Sequence, residues 1–199
     1  METIIYPKIK YPSEIIGDKT ILREFTEKNL YDPRYFNWLK DPLVVDRVGR
    51  KELLKPFDFR IIEKYYYEIR LSDNKMFFSL NTKEDDEFVG TFKLTINWES
   101  MIAEIGTLIG VKELWGTGLF QDSAYHVSKY AFDVLGMRKV TGGCFARNKP
   151  AVHAMEKIGF KREALFRKSV LGQDSIIFGV FKEELKYKGI DDFKEAWLD

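Results

Sequence analysis

Gly116 and Gly118, flanking Thr117, form the first stretch of this chain with chemical possibilities. A strand-like run precedes them, with Ile105, Thr107, Ile109 and Val111 on one face and Leu108 on the other, and a helical run follows from near Phe120. Small residues there let successive backbone N–H groups converge ahead of a helix start, which makes an anion cradle. Alone, such a turn is also ordinary punctuation between a strand and a helix. Other reactive side chains are sparse. Cys144 is the single cysteine, which removes an internal disulfide framework and a multi-cysteine metal site. A lone strand cysteine is usually buried and inert. His126 and His153 fall on helical stretches, where isolated histidines are more often structural than catalytic. The acidic run at Glu84 to Glu87 lies between two strands, as a polar turn requires, and no metal site is predicted.

The elements that must position the turn can be read from periodicity. Thr20 to Glu24 suits a strand, and Thr26 can cap a helical stretch whose Leu30, Tyr35, Phe36, Trp38 and Leu39 make an apolar face up to Asp41-Pro42. Phe59 to Leu71 reads as a helix with Ile61, Ile62, Tyr65 and Ile69 inward, and the tyrosine run Tyr65 to Tyr67 as part of its core stripe. Met76 to Asn81 and Phe88 to Ile96 form a hairpin across a charged turn, and Ala103 to Val111 adds a third antiparallel strand. The helix Leu119 to Leu135 carries Ala124, Val127, Ala131 and Val134 on one side and stops at Gly136. Lys139 to Cys144 returns as a strand, so strand, turn, helix and strand form a right-handed parallel crossover. Asn148 and Pro150 open another helix with Val152, Met155 and Ile158 inward, closed by Gly159. An extended stretch from Phe160, a turn at Gly172 to Asp174 and the strand Ser175 to Phe181 follow.

The chain has 199 residues with 45% hydrophobic content, enough for one domain with a substantial core. Lys and Arg total 32 against 31 Asp and Glu, so no overall field favours nucleic acid or a membrane surface. The start, METIIYPKIK, lacks an apolar secretory core, and no run reaches membrane-span length, so a soluble cytoplasmic protein is expected.

Four stretches, TILREFTEKNL, EFVGTFKL, AEIGTLIGVKELWGTGLFQDS and NKPAVHAMEKIGFKREA, occur in consistent order between about Thr20 and Leu185. In these the chain resembles the GNAT superfamily of N-acetyltransferases, particularly its Rim-type branch, named for ribosomal-protein acetyltransferases. The resemblance implies an α/β fold with a mixed central β-sheet splayed around acetyl-CoA and flanking helices. It divides the chain into an N-terminal arm (1–19), the acetyltransferase domain (20–185) and a C-terminal extension (186–199). Phe193, Ala196 and Trp197 of that extension are expected to dock back. The pyrophosphate is expected on Trp115, Gly116, Thr117, Gly118, Leu119 and Phe120, the pantetheine arm along Leu108, Ile109 and Val111, and Asn148 near the cofactor. Asn148 is equally suited to capping its helix.

The same resemblance places Glu104 as the base that takes the amine proton, directly or through water, and a backbone N–H near Ile109 against the thioester carbonyl. The chain departs from the family pattern in three places. Phe120 replaces the last small residue of the turn, Met155 stands where many members have a tyrosine acid, and Ala151 where some have a serine. The implied reaction is acetyl transfer to a primary amine: a peptide N-terminus, a small amine or an amino sugar. A peptide N-terminus, with an amine pKa of about 7.7 to 8.0, needs less deprotonation than lysine. A relative that binds acetyl-CoA without turnover is the alternative, and a second copy of the chain stays open as a partner.

Overall fold

The computed structural model describes residues 9–47 and 58–187. Phe193, Ala196 and Trp197, expected to dock back, lie outside them. One eight-stranded sheet forms the frame, with strands β1 (Ile15–Ile16), β2 (Thr20–Glu24), β3 (Lys75–Thr82), β4 (Phe88–Asn97), β5 (Ile102–Ile109), β6 (Lys139–Phe145), β7 (Lys161–Val170) and β8 (Gln173–Val180). Their order across it is β1-β2-β3-β4-β5-β6-β8-β7. β5 and β6 are parallel, and every other neighbouring pair is antiparallel. The parallel pair requires a crossover, supplied by α5 (Leu119–Asp133).

Two apolar layers cover the sheet. On one face α5 and α6 (Lys149–Lys157) close a core containing Phe78, Phe92, Ala103, Ile105, Val127 and Phe178. On the other, α1 (Glu27–Leu30), α2 (Pro33–Lys40), α3 (Pro42–Val45) and α4 (Phe59–Arg70) close an aromatic core around Phe25, Tyr35, Trp38, Phe77 and Phe88. Strand alternation assigns β5 to both: Ala103 and Ile105 face the first core and Leu108 the second. Asp32, Asp41 and Asp58 cap α2, α3 and α4 by accepting from N–H groups two residues on, which fixes where these short helices begin.

Three local expectations are corrected. In α4 the fully buried residues are Ile62, Tyr66 and Ile69, so Tyr66 joins the core side, with Tyr65 partly buried against the same core. Tyr66 falls four residues after Ile62 and three before Ile69, the spacing of one helical face. α5 ends at Asp133, and Val134 lies past its last turn and is 66% exposed. β7 begins at Lys161 and extends to Val170 as an exposed edge strand, with a two-residue turn at Leu171 and Gly172 before β8. Among the described residues, no helix is long and apolar enough to cross a membrane.

Candidate active site

The site begins as a fork in the sheet. β5 and β6 pair only from Ile102 against Lys139 to Ile105 against Gly142. Beyond that point β5 continues to Ile109 on β4, and β6 continues to Phe145 on β8. The space between them is part of a cleft of about 190 Å³. Gly142 sits at its neck, where a Cβ would fall 2.8 Å from Met155 Cε and 3.0 Å from an Ile105 carbon. A glycine there leaves room at the neck for the Met155 side chain of α6.

Past the fork, the inner edge of β5 carries main-chain groups no longer used by β6. Gly110 N–H donates to Val89 O at 2.9 Å, towards β4, while Thr141 Oγ1 donates to Ala103 O at 3.4 Å, towards β6. Alternation along the strand then turns the N–H and C=O of Thr107 and Ile109 into the gap. Trp115 Nε1 donates to Ile109 O at 2.9 Å. The Arg47 guanidinium lies 4.2 Å from the Trp115 ring centroid, and both residues line the cleft. Thr107 Oγ1 is buried without a partner among the described residues. An unsatisfied buried hydroxyl costs about 1–3 kcal/mol, so this wall suits a ligand with polar atoms.

The turn after β5 is built stiffly. Lys112 opens a 3-10 turn, and its ammonium meets Asp41 Oδ2 at 2.6 Å. That bond holds the Asp41 carboxyl below its ordinary pKa. Thr117 Oγ1 donates to Leu114 O at 2.7 Å. Gly116 and Gly118 have φ of 79° and 89°, a region costly to other residues, and Gly118 is the N-cap of α5. The first-turn N–H groups of α5 lack intrahelical partners by construction and supply donors at a positive helix end.

Of the residues expected to hold a cofactor, Leu108, Ile109, Trp115, Gly116, Phe120 and Asn148 line the cleft. Leu108 also belongs to the second core, and Phe120 packs against the first while facing the cleft. Thr117 and Gly118 shape the turn from within, Leu119 is 4% exposed in the core, and Val111 caps the 3-10 turn. Asn148 Oδ1 accepts from Ala151 N at 3.3 Å, so it caps α6 at the cleft rim. Glu104 lies elsewhere: it is exposed and lines a separate depression with Thr95, Trp98 and Thr141. Its side chain is on the opposite face of β5 from Ile105 and Thr107, one residue before the fork.

The sequence did not disclose Arg47, Thr107, Gly142 or Gln121 as cleft residues. The doublet Gly142-Gly143 inside an apolar strand was the available signal for close backbone approach. Among the described residues, Cys144 and Arg47 are the titratable ones lining the cleft. Burial pushes the Cys144 thiol up to about 11, so it is protonated at neutral pH. Met155, with only a thioether, is 3% exposed and faces the same space.

The fold and sequence have known counterparts. Residues 19–161 match the acetyltransferase (GNAT) domain. The chain is 32% identical over 107 residues to the probable N-acetyltransferase YjcK of Bacillus subtilis, covering 52% of this chain and 59% of the relative. It is 30% identical over 91 residues to the uncharacterized N-acetyltransferase p20 of Bacillus licheniformis, covering 45% and 51%. The matched stretches thus span between half and three fifths of these relatives. A GNAT-family acetyltransferase structure from Bacillus anthracis superposes with a TM-score of 0.72 at 19% identity, over 86% of this chain and 99% of that one. Spermidine N-acetyltransferase from Vibrio cholerae, solved with CoA and spermine, gives 0.72 at 20% identity, over 83% and 96%. These structural likenesses establish the fold, and the match across residues 19–161 establishes the lineage: the chain belongs to the acetyltransferase (GNAT) domain family.

Proposed function

We propose that this protein transfers an acetyl group from acetyl-CoA to a primary amine by direct attack, and that it belongs to the Rim-type branch its motifs resemble. One observation carries the reading: a forked sheet whose unpaired β5 edge leads to a glycine turn and a helix start. A ligand with amide groups at one end and phosphates at the other fits that sequence of donors. The first turn of α5 holds the phosphates, the edge at Thr107 and Ile109 pairs with the pantetheine amides, and Asn148 borders the opposite wall. Acetyl-CoA supplies the activated acyl group. The Ile109 N–H, facing the gap, is the donor for the thioester oxygen.

Glu104 is assigned as the base. No carboxylate or histidine lines the cleft among the described residues, so a proton acceptor must work from beside it. Glu104 stands one residue from the fork on the other face of the sheet, where an amine entering from the α4 side would pass, with water bridging the remaining distance. The acceptor class is a small amine or a peptide N-terminus. The names of the relatives and the spermine in one structural neighbour are consistent with amine chemistry. The single thiol, half-buried at Cys144, accords with a reducing cytoplasm.

The test is an amine panel with acetyl-CoA, following free thiol release and product mass together. Acetylated amine with matching thiol release supports transfer. Tight CoA binding without turnover across the panel favours the second reading, a non-catalytic relative, in keeping with a cleft whose titratable lining among the described residues is Cys144 and Arg47.

A further inference from the structure

The glycine turn is braced from behind by a segment about a hundred residues earlier. Asp122, four residues into α5 and fully buried, accepts from the backbone N–H groups of Asp18 at 2.9 Å, Lys19 at 3.1 Å and Thr20 at 2.9 Å. Thr20 Oγ1 donates to it at 2.5 Å and the Tyr187 hydroxyl at 2.7 Å. Burial first, and this bond to Asp122 second, raise the Tyr187 pKa. Gly17 is required for the clasp, since a Cβ there would lie 2.2 Å from Asp122 Oδ2. A buried carboxylate near an anion cradle would ordinarily weaken it, but here five donors face the charge.

The clasp has a second arm. Lys19 Nζ donates to the carbonyl of Thr117 at 2.8 Å. No peptide bond among the described residues is cis, so the Thr117 carbonyl and the Gly118 N–H, which share one planar trans peptide, point in opposite directions. Lys19 directly precedes β2, which lies three strands from β5 on the side of the sheet away from β6, while Trp115, Gly116 and Phe120 line the cleft. Holding the carbonyl from that side leaves the Gly118 N–H directed away from Lys19. The Gly118 N–H has no acceptor among the described residues. A cation on the carbonyl also polarises the peptide, strengthening its N–H as a donor.

We propose that Lys19 is a positioning residue for phosphate binding, aiming and polarising the Gly118 N–H through the Thr117 carbonyl without itself touching the ligand. This rests on the acetyl-CoA reading above and assigns a role to a side chain outside the cleft. Gly116 and Gly118 make the turn possible, and Lys19 selects which way its peptide faces.

The test compares wild type, Lys19→Met and Lys19→Arg by titration with CoA and with pantetheine, which lacks phosphates, while recording the Gly118 amide resonance. Lys19→Met is expected to weaken CoA about tenfold, the scale of one charge-assisted hydrogen bond. Pantetheine affinity should stay unchanged, Lys19→Arg should recover most of the loss, and the CoA-induced Gly118 shift should shrink in Lys19→Met. Unchanged CoA affinity in Lys19→Met overturns the proposal. So does equal weakening of CoA and pantetheine, which would mark a fold defect. If wild type fails to bind CoA, the cofactor reading is wrong. The Lys19 role is then decided with inorganic pyrophosphate, whose effect on Gly118 must show the same dependence on Lys19 or the proposal fails.

Discussion

Glu104 and Cys144 mark what single residues can and cannot do here. Glu104 is exposed one residue before the fork, so its proposed contribution is chemical and carries little packing. Glu104→Gln should therefore leave CoA affinity and thermal stability near wild type while lowering turnover about 10²- to 10⁴-fold, the span of general-base assistance. Raising the pH should recover part of the rate as more acceptor amine is already neutral. Near-normal turnover of Glu104→Gln at neutral pH would return Glu104 to an ordinary strand carboxylate. Cys144 is the reverse case. Its thiol lines the cleft, but burial lifts its pKa to about 11 from an ordinary 9.0. The folded state thus holds a proton that the unfolded chain releases first. The stability tied to Cys144 is complete below about pH 9 and is lost as pH rises towards 11. Alkylation of Cys144 by iodoacetamide should climb through that same window. A rate that levels off near pH 9.0, the ordinary value for a thiol, would show that the burial does not govern its chemistry.

At the scale of elements, the sequence disclosed the turn and its flanking strand and helix, because each has a strong local signature. Two glycines either side of Thr117 and apolar alternation were enough to place the turn and β5. The fork was implied only by family resemblance, since where two strands stop pairing depends on the register of β5 against β6. Asp122 was missed for a related reason. An acidic residue early in a helix looks like a dipole partner, and nothing local shows that it grips residues 18–20. Distant packing also fixes Gly110 at the end of the β5 edge. A Cβ there would stand 1.9 Å from the Trp38 ring, so α2 lies flat on the strand end only because the side chain is missing. Gly110→Ala should cost about 1–3 kcal/mol by overpacking, read as a lower urea midpoint with unchanged slope. It should also weaken CoA by displacing the Trp115 side of the cleft. Wild-type stability in this variant would mean that Trp38 moves aside freely.

For the whole molecule, near-neutral composition points away from a charged surface and towards one local site. The two cores fix the sheet from both faces while β5 and β6 part between them, and the segment at residues 17–20 ties the N-terminal side of the sheet to the start of α5. The central claim is that this fork and turn bind acetyl-CoA. Its most direct measurement is the thermal unfolding midpoint of wild type and Gly118→Asp with increasing CoA. At a hundred times its dissociation constant, a ligand selective for the folded state adds about 2.7 kcal/mol. For a chain of 199 residues that corresponds to roughly 5–11 °C. Wild type should rise by that amount, and Gly118→Asp, with added bulk and negative charge beside the phosphates, should lose most of the rise. No rise in wild type at millimolar CoA, or a full rise in Gly118→Asp, would contradict the account.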